Sequence, residues 1–559
     1  MSTGTSAATA ARGDAVDVRP HRRGTGGPAG TFAGTWALAR LALRRDRILL
    51  PVWLAVFVAT AGSTASSTLA LYPDIASRRE IGTTINSNPA MLALYGRVFD
   101  VESAGAVAMF KVNAMGAALF AVLTMIVLVR HTRAEEEAGR LELLGATVVG
   151  RYAALTAALL VSGGTAVLLG LLTGAALIGA GLPVAGSLAF GAGWALTGLS
   201  FTAVAAVMAQ LTTSARAATG LTAAVLGATY LLRAVGDVAD ADGPRWASWL
   251  SPVGWAQQVR PFAGERWWVF APGLAFVALA SFAAYVLVAG RDVGSGLLAD
   301  RAGRPTATRW LSSAPALALR LQRGLLLAWT GAMLLMGLVV GSLGKSIDAF
   351  LTTPEAKDMI VRIGGSAGLL DAFFGAELGA VALIVSIFCI SSVLRLRAEE
   401  TGLRAEALLA TGLGRRRLAA GYLVVAALGS VWLLLVAGLG MGLTAAATLN
   451  DGAWTPRLLV GAVAHAPAVL VMLGVTAAVV GLVPRASAAG WALLVAFLLI
   501  GELGPIFQLD RRVIDLSPFV HVPPLGHLTA APLVTTTLVA AALTAVGIEA
   551  FRRRDLTSP

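Results

Sequence analysis

Twelve stretches of this chain are almost wholly apolar: residues near 49–70, 105–129, 153–181, 184–211, 217–236, 268–289, 325–344, 375–394, 418–445, 457–481, 487–508 and 529–550. A helix needs about 20 such residues to cross the hydrocarbon core of a bilayer. The expectation is therefore an all-α integral membrane protein with about twelve transmembrane helices. Composition agrees, with 57% hydrophobic and 13% charged residues, where soluble chains carry roughly 45–50% apolar and about 25% charged residues.

The 43 basic and 31 acidic residues leave a net charge of +12. Most of the basic residues are arginines beside the apolar runs, which suits topology and anionic lipid better than nucleic acid. Loops rich in Arg stay in the cytoplasm, so Arg40, Arg44, Arg45, Arg47, Arg216, Arg485, Arg552, Arg553 and Arg554 belong on the inner side, and both termini are expected there. The outer loops are mixed or acidic, as at Asp237, Asp240 and Asp242. Residues 1–32 lack the apolar core of a signal peptide and read as a disordered cytoplasmic tail. Cys389 is the sole cysteine, so one chain can form neither a disulfide nor a cysteine metal site.

One charged stretch occurs twice. RAEEEAGRLELLGATVVGR at 133–151 and RAEETGLRAEALLATGLGR at 397–415 align without a gap and agree at eleven of nineteen columns. Further echoes are Trp53 and Trp329, GAVA at 105–108 and 379–382, Leu250-Ser251-Pro252 and Leu516-Ser517-Pro518, and Arg291-Asp292 and Arg554-Asp555. These divide the chain into a first six-helix domain over 33–296, a cytoplasmic linker over 297–314 and a second six-helix domain over 315–559. An even helix number gives both halves the same orientation, as parallel repeats. Each copy of the stretch then lies between the second and third helices of its half, in the cytoplasm. Glu136 with Arg140 and Glu400 with Arg404 have the favourable i,i+4 spacing of a short ion-paired surface helix. Retention of the stretch in both halves predicts two docking sites for a partner that comes as a symmetric pair.

Two other motifs carry less. Gly344-Lys345-Ser346 has Val339 where a phosphate-binding loop requires Gly, so no ATPase site is expected in this chain. GLLADRAGRP at 296–305 resembles the GxxxDRxGRR loop of major-facilitator secondary transporters, but it follows helix six rather than helix two. An ion-coupled 12-helix secondary transporter is the alternative reading.

The pattern Glu136-x-x-Gly139-x-x-Glu142-x-Leu144, with Arg151 after it, resembles the coupling-helix loop in permeases of ABC exporters of the drug, polysaccharide and antibiotic branch. The linker RDVGSGLLADRAGRP, NPAMLALYG at 88–96, YLLRAVGD at 230–237 and LSPVGWAQQVRPF at 250–262 are similar to actinobacterial permeases for polyketide antibiotics of the tetronasin type. The resemblance implies a type V exporter-like fold in a bacterial plasma membrane, exporting hydrophobic drugs or polyketide-type antibiotics. It also implies two copies of a separate ATPase, which bind ATP and Mg and dock on Arg133, Glu135, Glu136, Arg140, Glu142 and Leu144 and on Arg397, Glu399, Glu400, Arg404, Glu406 and Leu408. The second copy departs from the pattern, with Leu403 where the first has Gly139, which predicts a less symmetric docking helix.

Charge inside a membrane costs roughly 2.5–3.5 kcal/mol on insertion scales, which makes Lys111, Asn113, Arg233, His465 and Glu502 candidates for a substrate path. Arg233 also has Asp237 one turn away, and His465 has a proline close behind it. Segments 237–267 and 509–528 follow the fifth helix of each half. Only the first carries Trp246, Trp249, Trp255 and Trp267, as an interfacial belt or an outer lid.

Overall fold

The computed structural model describes residues 30–140, 149–239, 243–292, 294–298, 306–344, 366–503, 510–527 and 529–555. The chain divides into two compact units, Met1–Arg301 and Ala302–Pro559. Among the described residues there are helices and no strands.

The first unit opens with α1 (Thr35–Arg45), a surface helix that buries Ala39 and Ala42 while Trp36, Leu41 and Leu43 stay exposed. It is followed by α2 (Leu49–Leu71), α3 (Ile75–Ser87), α4 (Pro89–Tyr95), α5 (Ala104–His131), α6 (Arg133–Glu137), α7 (Ala153–Gly179), α8 (Val184–Leu211), α9 (Ala215–Val238), α10 (Pro252–Gln258) and α11 (Phe270–Ala289). Asp74, Ser103, Ser214 and Ser251 cap α3, α5, α9 and α10, each accepting a bond from a backbone N–H of the first turn. Such caps satisfy donors that no lipid could.

The core of this unit lies between α5 and α8, where Phe57, Phe120, Phe190 and Trp194 meet. Phe57 is edge-on to Phe120 at 5.5 Å and to Trp194 at 5.8 Å, a geometry worth about 0.5–1.5 kcal/mol per pair beyond area burial. Helices α7 and α8 pack through Gly170 and Gly191, where a Cβ on Gly191 would stand 2.1 Å from the Gly170 carbonyl oxygen. Close backbone approach through small residues is how helices associate where lipid removes the hydrophobic drive. The outward faces stay apolar, as with Leu119, Leu171 and Leu279.

The second unit contains α12 (Ala314–Ser342), α13 (Ser366–Thr401), α14 (Arg404–Leu409), α15 (Arg415–Leu449), α16 (Trp454–Ala464), α17 (Ala466–Leu482), α18 (Ala489–Leu503), α19 (Arg511–Ile514) and α20 (Ala530–Arg553). Its core joins α13, α15 and α17 through Phe374, Phe388, Leu433, Met441 and Val469. The fourth long segment is broken at His465, because Pro467 removes a donor inside the run.

Eleven described helical segments are long and apolar enough to cross a membrane. The run expected at 487–508 falls short of that length as α18, with residues 504–509 outside the described set. The run expected from 325 is helical from Ala314. The GAVA echo does not mark equivalent places: Gly105 stands in the first turn of α5, whereas Gly379 lies well inside α13. The N-terminal tail before Gly30, Asp240, Asp242, most of the linker, and Lys345 with Ser346 lie outside the described residues.

Candidate functional site

The duplicated stretch builds the same ionic clamp in each unit. In the first, α6 begins with Arg133, whose Nη1 donates to Glu136 Oε2 at 2.6 Å. Arg291, just past the end of α11, donates to both oxygens of Glu136 at 2.5 and 2.9 Å. The Gly294 N–H adds a fourth bond to that carboxylate, at 2.6 Å. In the second unit Arg397 pairs with Glu400 at 2.8 Å, and Arg554 beyond α20 holds both Glu400 oxygens at 2.7 and 2.6 Å. Bidentate guanidinium–carboxylate pairs fix orientation as well as distance.

The far end of each stretch grips the same helix end. Arg151 donates to the carbonyls of Ala289 and Arg291 at 2.8 and 3.0 Å. Arg415 does the same to Arg554 at 2.7 Å and Arg552 at 3.4 Å. An arginine on the unpaired carbonyls of a helix C-terminus satisfies acceptors and complements the dipole. Loop and last helix are thereby tied at two points in each unit.

The expected i,i+4 pairs do not form. Arg140 instead pairs with Glu135 at 3.0 Å, and Arg404 with Glu399 at 2.5 Å. The helix is interrupted between the members of each expected pair by a left-handed residue, Gly139 at φ +71° and Leu403 at φ +59°. The departure at Leu403 leaves the turn unchanged. The interruption turns Glu136 and Glu400 inward, where their side chains are 4% and 2% exposed.

Burial sorts the expected docking residues. Arg133, Glu136, Glu399 and Glu400 are buried and can only position the loop. Glu135 also receives Arg45 from α1 at 2.6 Å. Arg140, Arg404 and Glu406 are exposed, while Leu408 packs with Leu409 and Leu413 against the cluster holding Tyr422 and Phe551. Glu142 and Leu144 lie outside the described residues. Arg404 has its pKa raised by its hydrogen bond to Glu399.

Three contributors were not named as site residues from sequence. Arg291 and Arg554 were visible only as an echo after the sixth helix of each half. Asp46, fully buried between α1 and α2, holds His131 Nε2 at 2.6 Å and Arg130 at 3.0 Å. No spacing rule links residues so far apart in sequence.

The intramembrane candidates are not brought together. Arg233 is fully buried, pairs with Asp237 at 3.1 Å and donates to the Ala93 and Leu94 carbonyls at 2.5 and 3.2 Å. With Tyr230 and Gln257, which bond Leu94 and Tyr95, it closes the C-terminus of α4. These contacts make it a brace for the end of α4. Lys111 is exposed beside the Phe110 ring. The Asn113 carbonyl accepts from Trp194 Nε1 at 3.0 Å. His465 Nδ1 bonds the Gly461 carbonyl at 2.8 Å. The Glu502 side chain lies outside the described set. Among the tryptophans, Trp249 stacks on Trp268 at 5.3 Å while Trp246 and Trp267 stay exposed.

These features define an all-α integral membrane protein whose two units carry matching clamps at the C-terminal end of their second long helical run. The model of the family described as multidrug efflux system permease Rv1217c, C-terminal domain, matches residues 37–290 and 311–552, one stretch in each unit. The chain is also 43% identical over 542 residues to the multidrug efflux system permease protein Rv1217c of Mycobacterium tuberculosis (strain ATCC 25618 / H37Rv), covering 96% of this chain and 97% of that protein. The chain belongs to the Rv1217c permease family.

Proposed function

We propose that this chain is the membrane permease of an ATP-driven efflux pump for hydrophobic drugs, with polyketide-type antibiotics as its natural cargo. The observation that carries this reading is the matched pair of clamps, Arg133–Glu136–Arg291 and Arg397–Glu400–Arg554. The two halves are read as parallel repeats, and each loop as a lever whose exposed side takes one copy of a separate ATPase. Movement imposed on a loop passes through its clamp to the last helix of that half. A shift of a two-state equilibrium from 1:99 to 99:1 needs only about 5.5 kcal/mol, within reach of ATP binding. The family's efflux permease from M. tuberculosis supports the export direction.

The test is reconstitution in liposomes with the ATPase expressed from the neighbouring reading frame. Hydrolysis should rise on addition of the permease, and reversal of Glu142 and Glu406 to Lys should weaken association and drug resistance together. Resistance that follows the proton gradient and persists without an ATPase would instead establish the ion-coupled alternative.

A further inference from the structure

A cavity of about 440 Å³ opens inside the second unit, between α13, the α16–α17 break and the segment after α18. Its wall is apolar where Leu378, Phe519 and Leu525 contribute, and polar at Asp371, His465 and His527. Drug-sized sites span roughly 300–1,000 Å³ and combine apolar walls with a few placed polar groups.

The first unit supplies an internal comparison. The space bounded there by α5, α8 and the segment after α9 has a volume of only about 30 Å³. Trp194 stands seventeen residues before the end of α8, and His465 seventeen before the end of α17. Phe190, four residues before Trp194 as Gly461 is four before His465, lines that smaller space with its ring and packs on the buried Trp194 at 5.1 Å. Gly375 and Gly379 widen the cavity further on the α13 side.

Two of its polar groups are acceptors, and His527 stands beside Asp371 as the third polar group. His465 is 8% exposed, and its Nδ1 bonds a carbonyl, which can only accept. The Nδ1 therefore carries a proton, leaving Nε2 of the neutral ring as an acceptor. Asp371 spends Oδ2 on Arg457, while its buried Oδ1 has no hydrogen-bond partner. Leaving a buried acceptor unsatisfied is unfavourable, and a donor on a bound molecule would remove that cost.

We infer that this cavity of the second half is a ligand site, taking an apolar ring system that carries amine or hydroxyl hydrogens, with His465 and Asp371 as its acceptors. The inference rests on the export reading for its ligand class. Rhodamine 123 and tetramethylrhodamine methyl ester are both fused-ring cations, but only the first has N–H donors. Fluorescence anisotropy with the purified full chain in detergent should show rhodamine 123 binding about tenfold more tightly, the worth of one well-made hydrogen bond. His465→Phe should abolish that preference while leaving the methylated dye unchanged, and His465→Gln, which restores an acceptor, should keep it within about threefold.

Filling the cavity tests its location. A Cβ on Gly379 meets no described atom within 4 Å, and one on Gly375 meets only Leu525, at 4.0 Å. Gly379→Phe should therefore fold, as judged by helical circular dichroism, and lose both dyes; Gly375→Leu is the second variant should the first misfold. Wild-type binding by a folded, filled variant overturns the site, and equal loss of both dyes in His465→Phe overturns the acceptor role. Failure of the wild type to extrude either dye from cells removes the export reading and leaves the binding result standing.

Discussion

Arg554 holds Glu400 through both terminal guanidinium nitrogens, at 2.7 and 2.6 Å, in a place where only 2% of the Glu400 side chain meets solvent. Arg291 and Glu136 repeat the arrangement in the first unit. The pair is short, bidentate and dry, and it spans the loop and the last helix of its half.

Removing one partner of a buried ion pair leaves an uncompensated charge, at about 3–5 kcal/mol. Glu400→Gln and Arg554→Met are each expected to lower the Tm of the detergent-solubilised chain by about 5–10 °C. The double variant should be less destabilised than the sum of the two. Strict additivity would show that the pair carries no coupling.

Leu403 occupies the left-handed region that its counterpart Gly139 occupies without strain. Leu403→Gly should gain stability by up to about 1 kcal/mol, and Gly139→Leu should lose a similar amount. A drop in Tm for Leu403→Gly would mean that its exposed side chain contributes more than the backbone loses.

Arg233 braces α4 from inside the protein. Arg233→Leu should destabilise the chain by about 3 kcal/mol or more, since Asp237 and the carbonyls of Ala93 and Leu94 would lose their donor. Surviving Arg233→Lys protein should transport an unchanged range of compounds. A changed range at wild-type stability would return Arg233 to the substrate path.

Asp46→Asn leaves Arg130 and His131 beside a neutral group at the junction of α1 and α2. Proteolysis there should accelerate several-fold relative to wild type, as the junction opens more often. Equal cleavage rates would show that Ala39, Ala42 and the Arg45–Glu135 pair hold α1 without Asp46.

Eleven of the twelve apolar runs are helical over a length that can cross a membrane, and the described part of the twelfth is helical as α18, because lipid leaves the backbone few alternatives. At Ala314 the helix starts ahead of the apolar run, where apolar composition stops tracking the helix. The charged stretch was also legible as the place to look, but its pairing was not. The i,i+4 rule assumes a continuous helix, and the turn at Gly139 and Leu403 breaks it. The true partners, Arg291 and Arg554, stand more than 150 residues away, and the echo after the sixth helix was the one available sign. Nothing in the sequence distinguished Gly461 and His465 at a large cavity from Phe190 at a small one. That difference depends on which side chains meet across three helices.

The unequal cavities have a consequence for ancestry. Two identical subunits must be open in both places or closed in both, because every substitution in one appears in the other. Joining both halves in a single polypeptide removes that obligation. One half could then drift toward cargo while its twin hardened into scaffold, with the clamp kept alike in both.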